Sequence, residues 1–399
     1  MTRRSLASVA AALLILASCS TPPTVPSPAP TATITPSVLT PSTPTPTASP
    51  VPSDVPASPV ASGPPVGGVY SATVGGQIQA AWAAMPARVY VPDEKSGNVV
   101  VIDPATFKII GTIGVGKYPE HITPAWDGQL LYVNDMVGQA LTEIDPNTAQ
   151  PNGVTLKVPS PYNLYFEMDG SRAIIVEDML KGAPTDPNGL AFFDLNWKKV
   201  GFLGIPWAGA NHLDFSADGS TLLLSCEYSG RIVAVDVAAM KIITSLYVAG
   251  SPTDVRLSPD GSMFFVANQI RDGIDVIDAT TLKYLSFIRA GNGAHGLAIS
   301  RDATKLFVTN RLAASMSVID IASLTVVATW SIGGSPDMIA QSPDGSQLWI
   351  SNRYSGTISV VNAATGEVIT TIATGVNPHG LAYWPQPGRF SLGHNGNTR

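Results

Sequence analysis

Cysteine is close to absent: the 399 residues hold two, Cys19 and Cys226. A disulfide framework is thereby excluded, and stability has to come from packing. Charge is sparse at 13%, and its excess is acidic, with 29 Asp plus Glu against 23 Lys plus Arg. Basic residues form no stripe, which disfavours a nucleic-acid partner. The N-terminal apolar run, Leu6 to Ala17, is too short for a permanent membrane span, and no later segment reads as one. Several enzyme signatures are missing: a Gly-x-Ser-x-Gly elbow, His-Glu-x-x-His, a Walker loop and Cys-x-x-Cys-His.

What is present begins with an address. Arg3-Arg4, the apolar run and Leu16-Ala17-Ser18-Cys19 are export features. The last four residues resemble a bacterial lipobox, which implies that Cys19 is lipidated and starts the mature protein. Residues 1–18 are then a signal peptide. Residues 20–65 carry one charge, Asp54, and 15 of the 34 prolines. Such a stretch has little to bury and favours extended conformations, so residues 19–65 read as a lipid-anchored linker. Without residues 1–18 the net charge is 21 − 29 = −8. The expected location is the bacterial extracytoplasmic face, at the cell surface or in the periplasm, with the membrane reached through the lipid. A monomer is expected. Cys226, in the strand-like run Thr221–Cys226, reads as a buried small hydrophobe.

The folded domain, residues 66–399, is governed by a repeat. Strands end on an aliphatic residue and Asp or Asn at Asp103, Asp145, Asp194, Asp236, Asp278, Asp320 and Asn362, spaced 42, 49, 42, 42, 42 and 42 apart. A period of that size built from short strands predicts an all-β, seven-bladed β-propeller over residues 86–386, each blade four antiparallel strands A to D. Asp-Gly turns join A to B at Asp127, Asp169, Asp218, Asp260 and Asp344; Asp302-Ala303 is the exception and is expected to relax its turn. The first blade has B, C and D strands from Arg88 onward but no A strand before them. His379–Tyr383 is expected to supply it and close the ring. Residues 66–82 are expected over the first blade, and the tail Gly388–Leu392 along that blade's inner edge. A seven-residue insertion within residues 179–187 reads as a surface loop.

The motifs Phe307-Val308-Thr309-Asn310, Trp349-Ile350-Ser351-Asn352 and Ser342-Pro343-Asp344-Gly345 resemble the YVTN-type, or YncE-like, seven-bladed propeller family. The resemblance spans the whole repeat core. It implies the fold but no common reaction, since the family brings in surface proteins, nucleic-acid binders and relatives of lactonases.

Aligned on the A–B turn, one inner position holds Glu120, Tyr162, Asn211, Thr253, His295, Asp337 and His379. The next holds His121, Asn163, His212, Asp254, Gly296, Met338 and Gly380. These residues begin the innermost strands, so the repeat gathers them into a polar collar around the axis. Glu120, His121, Asp254, His295, Asp337 and His379 are candidate ligands for a divalent metal, although no cofactor is required by the fold. They equally suit acid–base chemistry, or simply satisfy strand amides and hold water. Alternation implies that the two rows cannot all face the channel together. The leading expectation is a binding scaffold for an envelope protein, glycan or small molecule, using rim residues such as Tyr118, Trp126, Tyr162, Trp207, Tyr228 and Arg311. The alternative is a metal-dependent, lactonase-like hydrolase with its site in the channel.

Overall fold

The computed structural model describes residues 68–178 and 188–399, so the signal, Cys19, the linker and the insertion at 179–187 lie outside the described residues. Seven sheets surround an axis, and six of them have four strands. Blade 1 carries strands B to D at Arg88–Asp93, Asn98–Asp103 and Lys108–Gly114. Blades 2 to 7 start on strands A at Pro119–Pro124, Pro161–Phe166, Ala210–Phe215, Pro252–Leu257, Ala294–Ile299 and Pro336–Gln341.

Burial follows strand position. The A strands are buried along their whole length, whereas a D strand such as Thr325–Ser331 alternates exposed and half-buried residues. Apolar clusters lie between neighbouring sheets; one joins Ile174, Val176 and Phe192 of blade 3 to Leu213, Phe215 and Leu224 of blade 4. No blade can cover its own faces, and the ring supplies what each lacks. Cys226 lies in this same cluster, and burial pushes its thiol up to about 12, so it is an inert hydrophobe.

The ring closes as the strand count requires. Ala382–Trp384 pairs antiparallel with strand B of blade 1, matching Tyr90 to Ala382 and Arg88 to Trp384. The closing strand is shorter than expected because its start is interrupted: the His379 amide still donates to Pro92 O of blade 1 at 3.0 Å, but the Gly380 amide turns to Glu120 O of blade 2 at 3.0 Å. Trp384 is fully buried beside Trp82, ring centroids 4.8 Å apart.

Three other expectations are corrected. Residues 68–76 do not sit over blade 1: Val69 N donates to Pro259 O of blade 5 at 2.8 Å, and Gly76 lies against Pro343 of blade 7. This segment therefore runs along the A–B-turn face, and Ile78 and Trp82 after it reach the apolar cluster of blades 1 and 2. The tail adds to blade 3 instead of blade 1, with Ser391–Gly393 and Asn397–Thr398 as fifth and sixth strands beside Pro161–Phe166. Blade 1's inner edge is already taken by Ala382–Trp384, whereas blade 3's is open. Ala303 keeps its turn at φ +60° and donates to Ser300 O at 2.8 Å, because the flanking strands fix the reversal.

One buried acid here has a measurable consequence. Asp135 ends strand B of blade 2 fully buried, accepts from Thr142 Oγ1 at 2.5 Å, and burial raises its carboxyl to about 6. A raised acid favours the folded state only while protonated. Stability from this group is therefore greatest below about pH 4 and falls as pH rises to 6, by roughly 3 kcal/mol. Urea midpoints across that interval are expected to fall in the wild type and to flatten in Asp135→Asn.

Candidate functional site

Members of both collar rows meet at the axis, His295 and His379 from one and His121 and His212 from the other, whereas Met338 packs in the apolar cluster between blades 7 and 1, so the two rows do not all face the channel. Strands A and B slip register between Pro119 and Ile122, Ala210 and Leu213, Pro252 and Val255, Ala294 and Leu297, and Pro336 and Ile339. Each slip is a bulge at the two collar positions, and a bulge breaks the strict in–out order of a strand. Glycine makes further room: a Cβ on Gly380 would stand 1.8 Å from His121 Nδ1.

The deepest group is a trio of imidazoles, His121, His212 and His394, all fully buried, whose ligand atoms lie within 4.8 Å of one another. His121 Nδ1 faces Asn395 Oδ1 at 3.0 Å, an oxygen that only accepts, so Nδ1 carries the proton and Nε2 the lone pair. Among the described residues neither nitrogen of His212 has a hydrogen-bond partner, nor does His121 Nε2. His394 Nδ1 accepts from Asn163 Nδ2 at 2.8 Å, which places its proton on Nε2, 3.5 Å from Asp254 Oδ1. Burial holds His121 down at about 4 and His212 and His394 well below the usual imidazole range. All three are neutral near pH 7, the form that binds metals.

Next along the axis lies an acidic group, Glu94, Glu120 and His379, also buried. The His121 and His379 ring centroids are 4.6 Å apart. His379 Nδ1 is 2.7 Å from Glu120 Oε2 and 3.3 Å from Glu94 Oε1. Arg353 forms a close ion pair with Glu94 and lies 4.0 Å from Glu120. Burial first, then the negative charge of Glu94, raises Glu120 well above the usual carboxylate range, while burial drives His379 well below the imidazole range. Beside them Asp337 pairs closely with Arg311 and meets His295 Nδ1 at 2.8 Å. Burial opposes ionising Asp337, but Arg311 and then His295 and His379 outweigh it and hold the carboxyl far below its ordinary value.

Both clusters are positioned for a divalent cation, but they differ in vacancy for charge. At Glu94–Glu120–His379 the Arg353 guanidinium already supplies a cation. At the imidazole trio no cationic side chain among the described residues is paired to the rings; Arg256, paired with Asp254, is close enough to act on His394.

The remaining collar residues are placed structurally. Asp254 accepts from Val255 N at 2.8 Å, Arg256 Nη1 at 3.0 Å and Leu297 N at 2.9 Å, which binds blade 5 to blade 6. Thr253 Oγ1 donates to backbone carbonyls, Asn163 also contacts Tyr165 OH, and Asn211 donates to Glu227 Oε2 at 2.8 Å. Tyr162 packs edge-on against His121 and His212. Among the expected rim residues, Tyr162 and Arg311 are buried in the channel, and Trp126 stacks on Phe390 on the opposite side; Tyr228 remains exposed.

Glu94, Arg353, His394 and Asn395 were missed. The first two had a signal: the position just after each B strand holds Glu94, Met136, Asp178, Glu227, Gln269, Arg311 and Arg353, a second ring with the same period. His394 and Asn395 follow the last repeat and have no periodic partner.

The larger surface cavities lie away from both clusters. One of about 580 Å³ touches Arg301, Asp344 and Ala363 on the A–B-turn side. A smaller cavity, about 50 Å³, borders Tyr70, Arg256, Gln341 and Asn395 beneath the trio.

A family profile described as a YNCE-like beta-propeller matches residues 65–386. No curated protein matches the chain. Among solved structures, a functionally unknown protein of Desulfotomaculum acetoxidans is similar at TM-score 0.65 and 18% identity, covering 75% of this chain and 99% of its own. A periplasmic gluconolactonase of Pseudomonas aeruginosa gives TM-score 0.62 at 17% identity, covering 75% and 99%. Hydrazine synthase of Kuenenia stuttgartiensis gives 0.60 at 18%, covering 72% and 99%. At these identities the likeness concerns the fold alone.

Proposed function

Because the chain belongs to the YncE-like β-propeller family and its axis gathers imidazoles, carboxylates and guanidiniums, we propose a metal-dependent hydrolase of small esters or lactones. One observation carries this reading: the neutral, buried imidazole trio stands one ring away from the Glu120–His379 pair. A bound divalent cation would polarise a carbonyl and acidify a water there. Glu120, held protonated by burial, is suited to giving its proton to a leaving oxygen. His379 orients that carboxyl at 2.7 Å, and Arg353 and Arg311 supply positive charge against an oxyanion. Substrate would enter from the face carrying the D–A and B–C loops, since the tail occupies the opposite side. The gluconolactonase among the structural neighbours makes lactones the first substrates to try. The proposal keeps the extracytoplasmic location and the Cys19 anchor.

A scaffold acting by its rim alone fits less well, because two of its expected contact residues are turned inward. A second reading, a site that holds metal without turnover, is favoured by the complete burial of the trio. Metal analysis of the full chain with a lactone panel separates them. About one equivalent of d-block metal, with hydrolysis that falls roughly 10²–10⁴-fold in Glu120→Gln at unchanged metal content, is the expected result. Metal without turnover selects the second reading. Absence of both overturns the proposal.

A further inference from the structure

We infer that the C-terminal tail supplies the third ligand of a zinc-class site, so that metal binding and docking of the tail are one event. The inference rests on the channel-metal reading above and specifies its ligands, metal class and coupling.

Two of the trio, His121 and His212, stand on strands A of blades 2 and 4 and are fixed by the ring. The third, His394, lies beyond the closing strand, in a segment that enters the channel from the A–B-turn face. The segment is held by many polar contacts, with Leu392 and Phe390 packing on the apolar cluster of blades 3 and 4. Ser391 N donates to Trp126 O at 3.0 Å and Ser391 Oγ to Pro124 O at 2.9 Å, both on blade 2. His394 N donates to Leu164 O of blade 3 at 3.1 Å, and Arg399 Nη2 reaches Asp214 Oδ1 of blade 4 at 2.7 Å. A Cβ on Gly393 would meet Leu164 O at 2.3 Å, so the chain can lie against that strand only as glycine.

Docking therefore buries much polarity for little apolar gain. Between Gly388 and Arg399 the large hydrophobics are Phe390 and Leu392. His394 Nε2, Asn395 Nδ2 and Arg399 Nε end up buried without a hydrogen-bond partner. An intramolecular hydrogen bond adds only about 1 kcal/mol net, and each orphaned buried group costs about as much or more. A cation shared by His394, His121 and His212 offsets part of that cost: of these three orphaned atoms only His394 Nε2 can become a ligand, and it binds once its proton has moved to Nδ1 and the Asn163 amide has turned to accept it.

The donor chemistry selects the metal. Three imidazole nitrogens suit zinc and its neighbours, whereas calcium takes six to eight oxygens. Ligands at about 2.0–2.1 Å in a tetrahedron stand roughly 3.3 Å apart. The donor atoms here lie within 4.8 Å, an open trio that a cation would draw together. Asn395, also from the tail, fixes His121 with its proton on Nδ1 and its lone pair inward. A partner of that kind conserves the binding tautomer. The tail thus brings one ligand and the orienting group of another.

The test is amide hydrogen exchange over residues 388–399 in the metal-stripped full chain, with and without zinc chloride, alongside zinc titration. At free zinc 100 times the dissociation constant, tail amides are expected to exchange about 100-fold more slowly, while strand Met263–Asn268 is unchanged. His394→Ala should weaken zinc by more than the roughly 10–100-fold expected for Asn395→Ala, which loses only an outer partner. Zinc that binds at one equivalent but leaves tail exchange or the His394→Ala affinity untouched overturns the inference and spares the channel-metal reading. Calcium in preference to zinc overturns it likewise. A chain that binds no divalent metal sinks both. The exchange arm uses the unaltered chain, so a variant that misfolds cannot obscure the outcome.

Discussion

A chain ending at Pro378 is expected not to fold to a stable ring. It loses the inner strand of blade 1 and with it Leu381, Ala382, Tyr383 and Trp384, all buried. Replacing one buried Trp by Ala typically costs about 3–5 kcal/mol, and a buried Leu about 2–5. Their sum already approaches a typical domain's whole stability of about 5–15 kcal/mol. The truncation also opens strand B of blade 1 and the inner strand of blade 3 to unpaired edges, which promotes association. Loss of the cooperative thermal transition, with aggregates on size exclusion, is the expected outcome. A graded version is Trp384→Ala in the full chain, which should lower Tm by roughly 6–20 °C. A truncated chain that stays monomeric and melts cooperatively would mean that blade 1 does not need its C-terminal strand.

Asp337→Ala is expected to cost about 3–5 kcal/mol, because it leaves the buried Arg311 without its carboxylate. The pH dependence of the wild type gives a second reading of the same group. A carboxyl whose folded value lies below its unfolded one adds stability above about pH 4, and that stability is lost as pH falls toward the folded value. Acid-induced unfolding below pH 4 should therefore be less steep in Asp337→Asn, which is compared against wild type by urea midpoints at pH 3 to 6. Identical profiles would remove Asp337 from the account of stability. Rescue of Asp337→Ala by Arg311→Met, which deletes the stranded charge, would confirm that the pair and not the cavity sets the cost.

Blade number and strand order were legible from seven strand ends on Asp or Asn and five Asp-Gly turns at a nearly constant spacing, and ring closure from the A strand the first blade lacks. The collar was legible as a list of residues but not as a geometry. Register slips at Glu120–His121, Asn211–His212 and Asp337–Met338 decide which side chains reach the axis, and a slip leaves no mark in composition. Glu94 and Arg353 stood in a second periodic row that was readable from the same alignment. The tail was the true gap. His394 belongs to no repeat, and its position depends on an open inner edge on blade 3 that appears only once the ring has closed.

Blade 1 is built from both ends of the repeat array, and this bears on how the protein is made. Tyr90 must wait for Ala382, its partner across the seam. At the usual 5–20 residues per second, roughly 15–60 s separate the synthesis of those two positions. The four repeat strands of each of blades 2 to 7 can pair locally during that interval, but the seam remains open until Ala382–Trp384 arrives. Until that strand arrives, Arg88–Asp93 presents an open inner edge, so the ring takes its final shape only when its two ends meet.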